Sequence, residues 1–266
     1  MAQQLTQVDA FTERPFRGNP AAVCVLDAPR DDDWMQSVAA ELALSETAFL
    51  TREKSRWRLR WFTPTTEVRL CGHATLASAH HLWEAGLVEA DEIEFETLSG
   101  RLTARRTAGG IELDFPVRPV AAAEAPPGLL SSLGLKPEQA LTVAAGEEDW
   151  LVEVADDALL RSLSPDFARL ARVDARGVIV TARGDGAPFD FLSRFFGPAV
   201  GVPEDPVTGS AHCTLAPFWA ARLGKTEMRA SQLSARGGEL EVETRGDRVG
   251  LRGRAVSVMR IELLGS

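Results

Sequence analysis

The chain has 266 residues, 45% of them hydrophobic and 25% charged, with a formal net charge of −9. That suffices for one large domain or two of about 100–150 residues each. The 29 basic residues, almost all arginine, form no cationic stripe, which argues against nucleic acid as a partner. Three cysteines without C-x-x-C spacing and four histidines without ligand spacing argue against a disulfide scaffold and a metal site. No apolar run reaches the roughly 18 residues of a membrane span. "MAQQLTQVDAFTERP" lacks the basic start and apolar core of a signal peptide. The expectation is a cytoplasmic protein in a reducing compartment, not bound to membrane.

In chain order, "QLTQVDAF" alternates and predicts a strand, "TERPFRGNP" a turn-rich loop and "AAVCVLD" a second strand. Residues 31–44, "DDDWMQSVAAELAL", place acids ahead of apolar residues at helical spacing, as an amphipathic helix requires. "ETAFLT", "RWRLRWFT", "EIEFETLSG", "GRLTARR" and "GIELDFPV" read as strands. Among them, "GHATLASAHHLWEAG" (72–86) is apolar on all sides, which predicts a buried central helix wrapped by strands.

The Pro- and Ala-rich stretch at 117–128 is the expected linker. It divides the chain into an N-terminal domain, 1–117, and a C-terminal one, 118–266, with the last strand free to return to the first. Beyond the linker, "ALTVAAG" and "DWLVEVA" predict strands, "DALLRSLSPDFARLA" (157–171) a helix and "GVIVTAR" a strand. A second apolar helix follows "PEDPVTGSAH", with Pro217 inside it, and three strands end the chain.

The two halves share a phrase. Arg60-Trp61-Phe62-Thr63-Pro64 matches Arg194-Phe195-Phe196-Gly197-Pro198, 134 positions on, and Gly72-His73-Ala74 matches Gly209-Ser210-Ala211, 137 positions on. Upstream, "FLT" and "IVT" correspond at an offset near 130. The expected architecture is therefore α+β: two similar domains, each a curved, mostly antiparallel sheet around a central apolar helix, related by a pseudo-twofold axis. Domain interfaces favour small-molecule sites, and two helix starts would suit a carboxylate.

The chemistry has several candidates. A thiol-pair racemase would need a second cysteine where Thr208 stands, opposite Cys71, and a threonine hydroxyl is far too weak an acid. Cys71 is otherwise a small buried residue. On spacing alone, Glu46 in "ALSETAF" is either the acid of a helix-to-strand turn or a partly desolvated carboxylate. His73, Asp205 and Ser210 are either local caps at helix starts or site residues.

The motifs "VDAFTERPFRGNPAAVCVL", "LSETAFL", "RWFTPTTEVRLCGHAT" and "EDPVTGSAH", spread from residue 8 to 212, together resemble the phenazine-biosynthesis-like (PhzF-like) isomerases. The resemblance implies the diaminopimelate epimerase fold, a homodimer, no metal or organic cofactor, and proton transfer on a small carboxylate-bearing substrate; the family's best-known member isomerises a dihydro-hydroxyanthranilate. It implies Glu46 as general acid/base, with His73, Asp205 and Ser210 as further catalytic groups. Gly18, Asn19, Gly72, Thr208 and Gly209 would bind substrate. A racemase or epimerase of a small amino or hydroxy acid, or a non-catalytic binding protein for small acids, are the alternatives.

Overall fold

A computed structural model describes residues 2–54, 56–186 and 188–264. The chain divides into two compact units, Met1–Phe115 with Gly250–Ser266, and Pro116–Val249. The boundary falls at the head of the expected linker, and the C-terminal residues belong with the first unit.

The first unit contains strands β1 (Gln3–Ala10) and β2 (Asn19–Leu26), helix α1 (Asp32–Leu42), strands β3 (Glu46–Glu53), β4 (Arg56–Phe62) and β5 (Glu67–Val68), helix α2 (Gly72–Glu84), and strands β6 (Glu92–Thr97), β7 (Gly100–Thr107) and β8 (Gly110–Pro116). The second contains β9 (Ala121–Ala122), α3 (Leu129–Ser132), β10 (Ala140–Ala145), β11 (Asp149–Val154), α4 (Asp157–Ser162), α5 (Phe167–Leu170), β12 (Gly177–Gly186), β13 (Phe189–Gly197), β14 (Val202–Asp205), α6 (Gly209–Leu223), β15 (Glu227–Gln232) and β16 (Gly238–Arg245). Strand β17 (Arg248–Gly253) ends the excursion, and β18 (Ala255–Leu263) pairs antiparallel with β1.

One series of pairings occurs in both units. In the first, β1 is antiparallel to β2, β2 parallel to β3, β3 antiparallel to β4, β4 parallel to β6, and β6 antiparallel to β7. In the second, β10, β11, β12, β13, β15 and β16 repeat that sequence of senses without exception. The short strands β5 and β14 flank β4 and β13 in the same way. The duplication read from one shared phrase thus extends to whole sheets.

Each sheet has a helix on its inner face. Strands β1, β2, β3, β7 and β18 all touch α2, so the first sheet curls about that helix. Residues His73 to Ala79 and Leu82 of α2 are buried. Its buried hydroxyls are satisfied within the helix: Thr75 Oγ1 donates to Cys71 O at 2.6 Å and Ser78 Oγ to Ala74 O at 2.7 Å. The outer face of the first sheet is covered by α1, whose Met35, Val38 and Ala39 meet Leu5, Ala22, Cys24 and Phe49. On the second sheet α3, α4 and α5 supply Leu129, Leu160 and Leu170 to the corresponding layer.

An ion pair also repeats. Arg60 grips Glu67 through Nε–Oε1 and Nη2–Oε2, both at 2.7 Å; Arg194 grips Glu204 through the same atoms at 2.7 and 3.0 Å. Each guanidinium also lies over the ring two residues on, Phe62 and Phe196, at 5.1 and 4.9 Å. These forks lock the loop before each central helix to the strand that precedes it.

The stretch 157–171, expected as one helix, is two. Pro165 disfavours helical backbone in the residue before it, and Leu163 has already turned out with ψ 129°. Asp166 restarts the helix by accepting from Arg169 N at 3.0 Å. Strand β15, absent from the sequence reading, carries Gln232 into the second unit's candidate site. Pro217 is accommodated without ending α6: the carbonyl it leaves without a helical partner, Cys213 O, accepts from Arg118 N at 3.1 Å.

Candidate functional site

In the first unit the chain reverses sharply between α1 and β3. Ala43 takes the left-handed conformation at φ 51°, where glycine is usual, and its N–H closes the helix on Ala39 O. That turn delivers Glu46 to the first position of β3, beside the start of α2. Glu46 Oε2 lies 3.0 Å from His73 Nε2, off the straight line of a hydrogen bond, and the Glu46 side chain keeps 18% of its exposure.

The other ring nitrogen, Nδ1, is 3.1 Å from Asn19 Nδ2, and Ser45 Oγ is 3.4 Å from Asn19 Oδ1. Asn19 is fully buried. Asn19, one of the nine residues expected to act on substrate, thus lies behind the site against His73. An amide can serve either state of the ring, donating to a bare Nδ1 or, turned over, accepting from Nδ1–H. Gly18 is likewise structural. Its φ is +65°, and a Cβ would meet Ala10 O at 2.1 Å.

Cys71 completes this corner, with Sγ 3.5 Å from His73 Nδ1. Burial and the charge of Glu46 push the thiol pKa up, so the neutral thiol is favoured. Burial opposes the imidazolium of His73, but its contacts with Cys71 and with the Glu46 carboxylate, the charged partner of the two, hold the His73 pKa well above its ordinary value. The sequence left Cys71 open between packing and a second acid/base opposite Glu46; its contact with His73 appears only in three dimensions.

The second unit builds a different corner on the same frame. Arg176 stands 130 positions after Glu46, the offset of the "FLT" and "IVT" phrases, at the mouth of β12. Its Nη2 donates to Ser210 Oγ at 3.1 Å, and Ser210 is the counterpart of His73. Arg176 is anchored to Asp149 through Nε at 3.0 Å and through a second bond from Nη2. Burial raises the Asp149 pKa against that pairing. Arg176, Asp149 and Gln232 escaped the sequence reading. Extending the offset of 130 back from the shared phrase to Glu46 would have found Arg176.

Asp205 ends β14 and accepts from Thr208 Oγ1 at 2.5 Å. Gln232 fixes both: it accepts from Thr208 N at 2.9 Å and donates to Asp205 O at 2.7 Å and to Thr208 Oγ1 at 3.1 Å. Thr208, expected to touch substrate, is buried and directs its hydroxyl to Asp205. Gly72 and Gly209 open the two central helices, and neither preceding residue, Cys71 or Thr208, makes a side-chain cap. Uncapped N–H groups at a helix start suit an anion.

His212, one turn into α6, is held neutral. Burial pushes its pKa down to about 4, although Thr208 O, 2.8 Å from Nδ1, favours the charged form. The unfolded chain, with a value near 6.5, binds the proton more readily. His212 therefore contributes stability that is complete above pH 6.5, declines as pH falls and is lost below about 4, a total of about 3 kcal/mol. Urea unfolding at pH 7 and pH 4.5 should show this loss for the native chain and a flatter profile for His212→Gln; equal slopes would refute it.

The fold defines a class. A crystal structure of a probable proline racemase from Agrobacterium radiobacter matches with TM-score 0.63 at 13% identity, covering 99% of this chain and 93% of that one, a likeness of fold. The architecture is the α+β fold of the epimerase-type isomerases. A family model described as phenazine biosynthesis-like protein matches residues 8–261. A protein of Halalkalibacterium halodurans, named an uncharacterized isomerase, is 52% identical over 99% of both chains. The crystal structure of a PhzF-family phenazine biosynthesis protein from Enterococcus faecalis has TM-score 0.93 at 40% identity, covering 98% of this chain and 99% of that one. The chain belongs to the phenazine biosynthesis-like family, and it is an isomerase. No helix among the described residues is long and apolar enough to cross a membrane.

Proposed function

We propose that this isomerase moves a proton between two carbons of a small carboxylate-bearing substrate, with Glu46 removing and returning it. The observation that carries the reading is the inequality of the two repeats. One corner holds a carboxylate against an imidazole, Glu46 and His73; its counterpart holds a guanidinium against a hydroxyl, Arg176 and Ser210. A two-base racemase needs a second group that exchanges protons near neutral pH; neither guanidinium nor hydroxyl does so, and the remaining carboxylate, Asp205, is already engaged by Thr208 Oγ1 at 2.5 Å. One carboxylate suffices for a shift in which the same group takes the proton and gives it back. His73, its pKa held high, would be the imidazolium that pairs with the Glu46 carboxylate before that carboxylate takes the proton. Asp205 and Ser210 are assigned to substrate binding, and the cationic Arg176 favours an anionic substrate group. The reaction needs no cofactor.

The test is label exchange. A panel of cyclic and conjugated carboxylic acids is incubated with the protein in deuterated water and followed by NMR. Uptake of solvent deuterium at carbon, with conversion to a double-bond isomer, is expected for at least one compound. Loss of optical rotation of an amino or hydroxy acid without double-bond movement would replace this reading with epimerisation.

A further inference from the structure

We propose that Glu46, Cys71 and His73 form a binding site for a soft divalent cation, with zinc as the fitting ion. The claim rests on the geometry of this corner and not on the reaction proposed above. The three side chains offer one carboxylate oxygen, one sulfur and one imidazole nitrogen, all within 4.8 Å of one another. His73 Nε2 is 3.0 Å from Glu46 Oε2 and 4.0 Å from Cys71 Sγ. In a zinc tetrahedron with bonds of about 2.0–2.3 Å, donors stand about 3.3–3.6 Å apart. Cys71 Sγ now lies nearer Nδ1, at 3.5 Å, so the thiol must rotate towards Nε2 to close the set around the ion.

The surroundings supply what a metal-bound histidine requires. With Nε2 on the ion, Nδ1 must donate, and Asn19 is already 3.1 Å away with an amide that can present its oxygen. Turning the amide over gives up the bond that Ser45 Oγ donates to its oxygen, and the Ser45 hydroxyl can then accept from the amide nitrogen. Three protein donors leave a fourth position for water or a ligand carboxylate. Thiol and imidazole select zinc, cobalt or cadmium over magnesium or calcium. On binding, the Cys71 thiol releases its proton to solvent and bonds as thiolate.

No linear spacing announces the site, since Glu46 reaches it from β3 and the other two from the start of α2. The probe is cobalt(II) added to the chelator-treated full chain without substrate, read by the near-ultraviolet absorption of a cobalt–thiolate bond and displaced by zinc. One equivalent should bind at micromolar concentration with that band. Cys71→Ser should abolish the band and weaken zinc binding at least about tenfold. Asn19→Ala should weaken it by about 10–100-fold with the band retained. Cys213→Ser, in the other unit, should change neither. The absence of saturable binding would overturn the site, as would binding that persists unchanged in folded Cys71→Ser and His73→Gln chains. Because no turnover is measured, a failure of the proton-shift reading and a failure of this site are told apart.

Discussion

Replacing Glu46 by glutamine is expected to lower the isomerisation rate by about 10²–10⁴-fold, the usual contribution of a positioned acid/base group. The amide matches the carboxylate in shape, so the contact with His73 and the pairing of β3 with β2 stay in place, and the thermal midpoint should hold within a few degrees. Deuterium uptake should fall in step with turnover, because both pass through the same oxygen. Glu46→Asp keeps the acid but withdraws it by one methylene from a ring now 3.0 Å away, and should be intermediate. Full turnover by a folded Glu46→Gln chain would remove Glu46 from the mechanism.

Removing the Arg194 side chain should be the most damaging change to the second unit's frame. Arg194 is 11% exposed, forks onto Glu204, and donates from Nη1 to two carbonyls at the end of α4, Leu160 O at 3.2 Å and Leu163 O at 2.8 Å. Arg194→Ala strips all of these at once and leaves a half-buried carboxylate without its partner. A loss of about 3 kcal/mol in urea unfolding is expected. Arg194→Lys keeps the charge but cannot fork, and should recover only part of it. Adding Glu204→Gln to Arg194→Ala should recover another part, because the stranded charge is gone. A loss below about 1 kcal/mol for Arg194→Ala would mean that solvent screens the pair and that the repeated fork does not hold the frame.

Much of this was legible in the chain because the signals are periodic. Alternation marks the strands that border water, and an all-apolar stretch such as 72–86 can only be buried. The duplication was legible because aromatic and glycine positions recur. What escaped was single-residue information. Pro165 breaks a stretch whose apolar spacing otherwise suits one helix, and periodicity does not weigh one proline against it. Arg176 shares its place with Glu46 but has the opposite charge, so a comparison seeking like residues passes over it. Asn19 lies beside a glycine turn in a loop motif, which suggests a surface; only the packing of β2 against the start of α2 reveals that it supports His73. Cys71 looked like filler because its chemistry depends on a carboxylate brought from 25 positions upstream.

The unlike corners have a consequence for how such a site arises. When two copies of one short chain associate, every substitution appears in both, and an acid placed at one corner is forced upon the other. Joining the copies end to end lifts that restriction. Each half keeps the grip that shapes it, Arg60 on Glu67 or Arg194 on Glu204, while the residue at the mouth of its sheet is free to change alone. Glutamate in one half and arginine in the other is a division of labour that a symmetric pair of identical chains cannot encode.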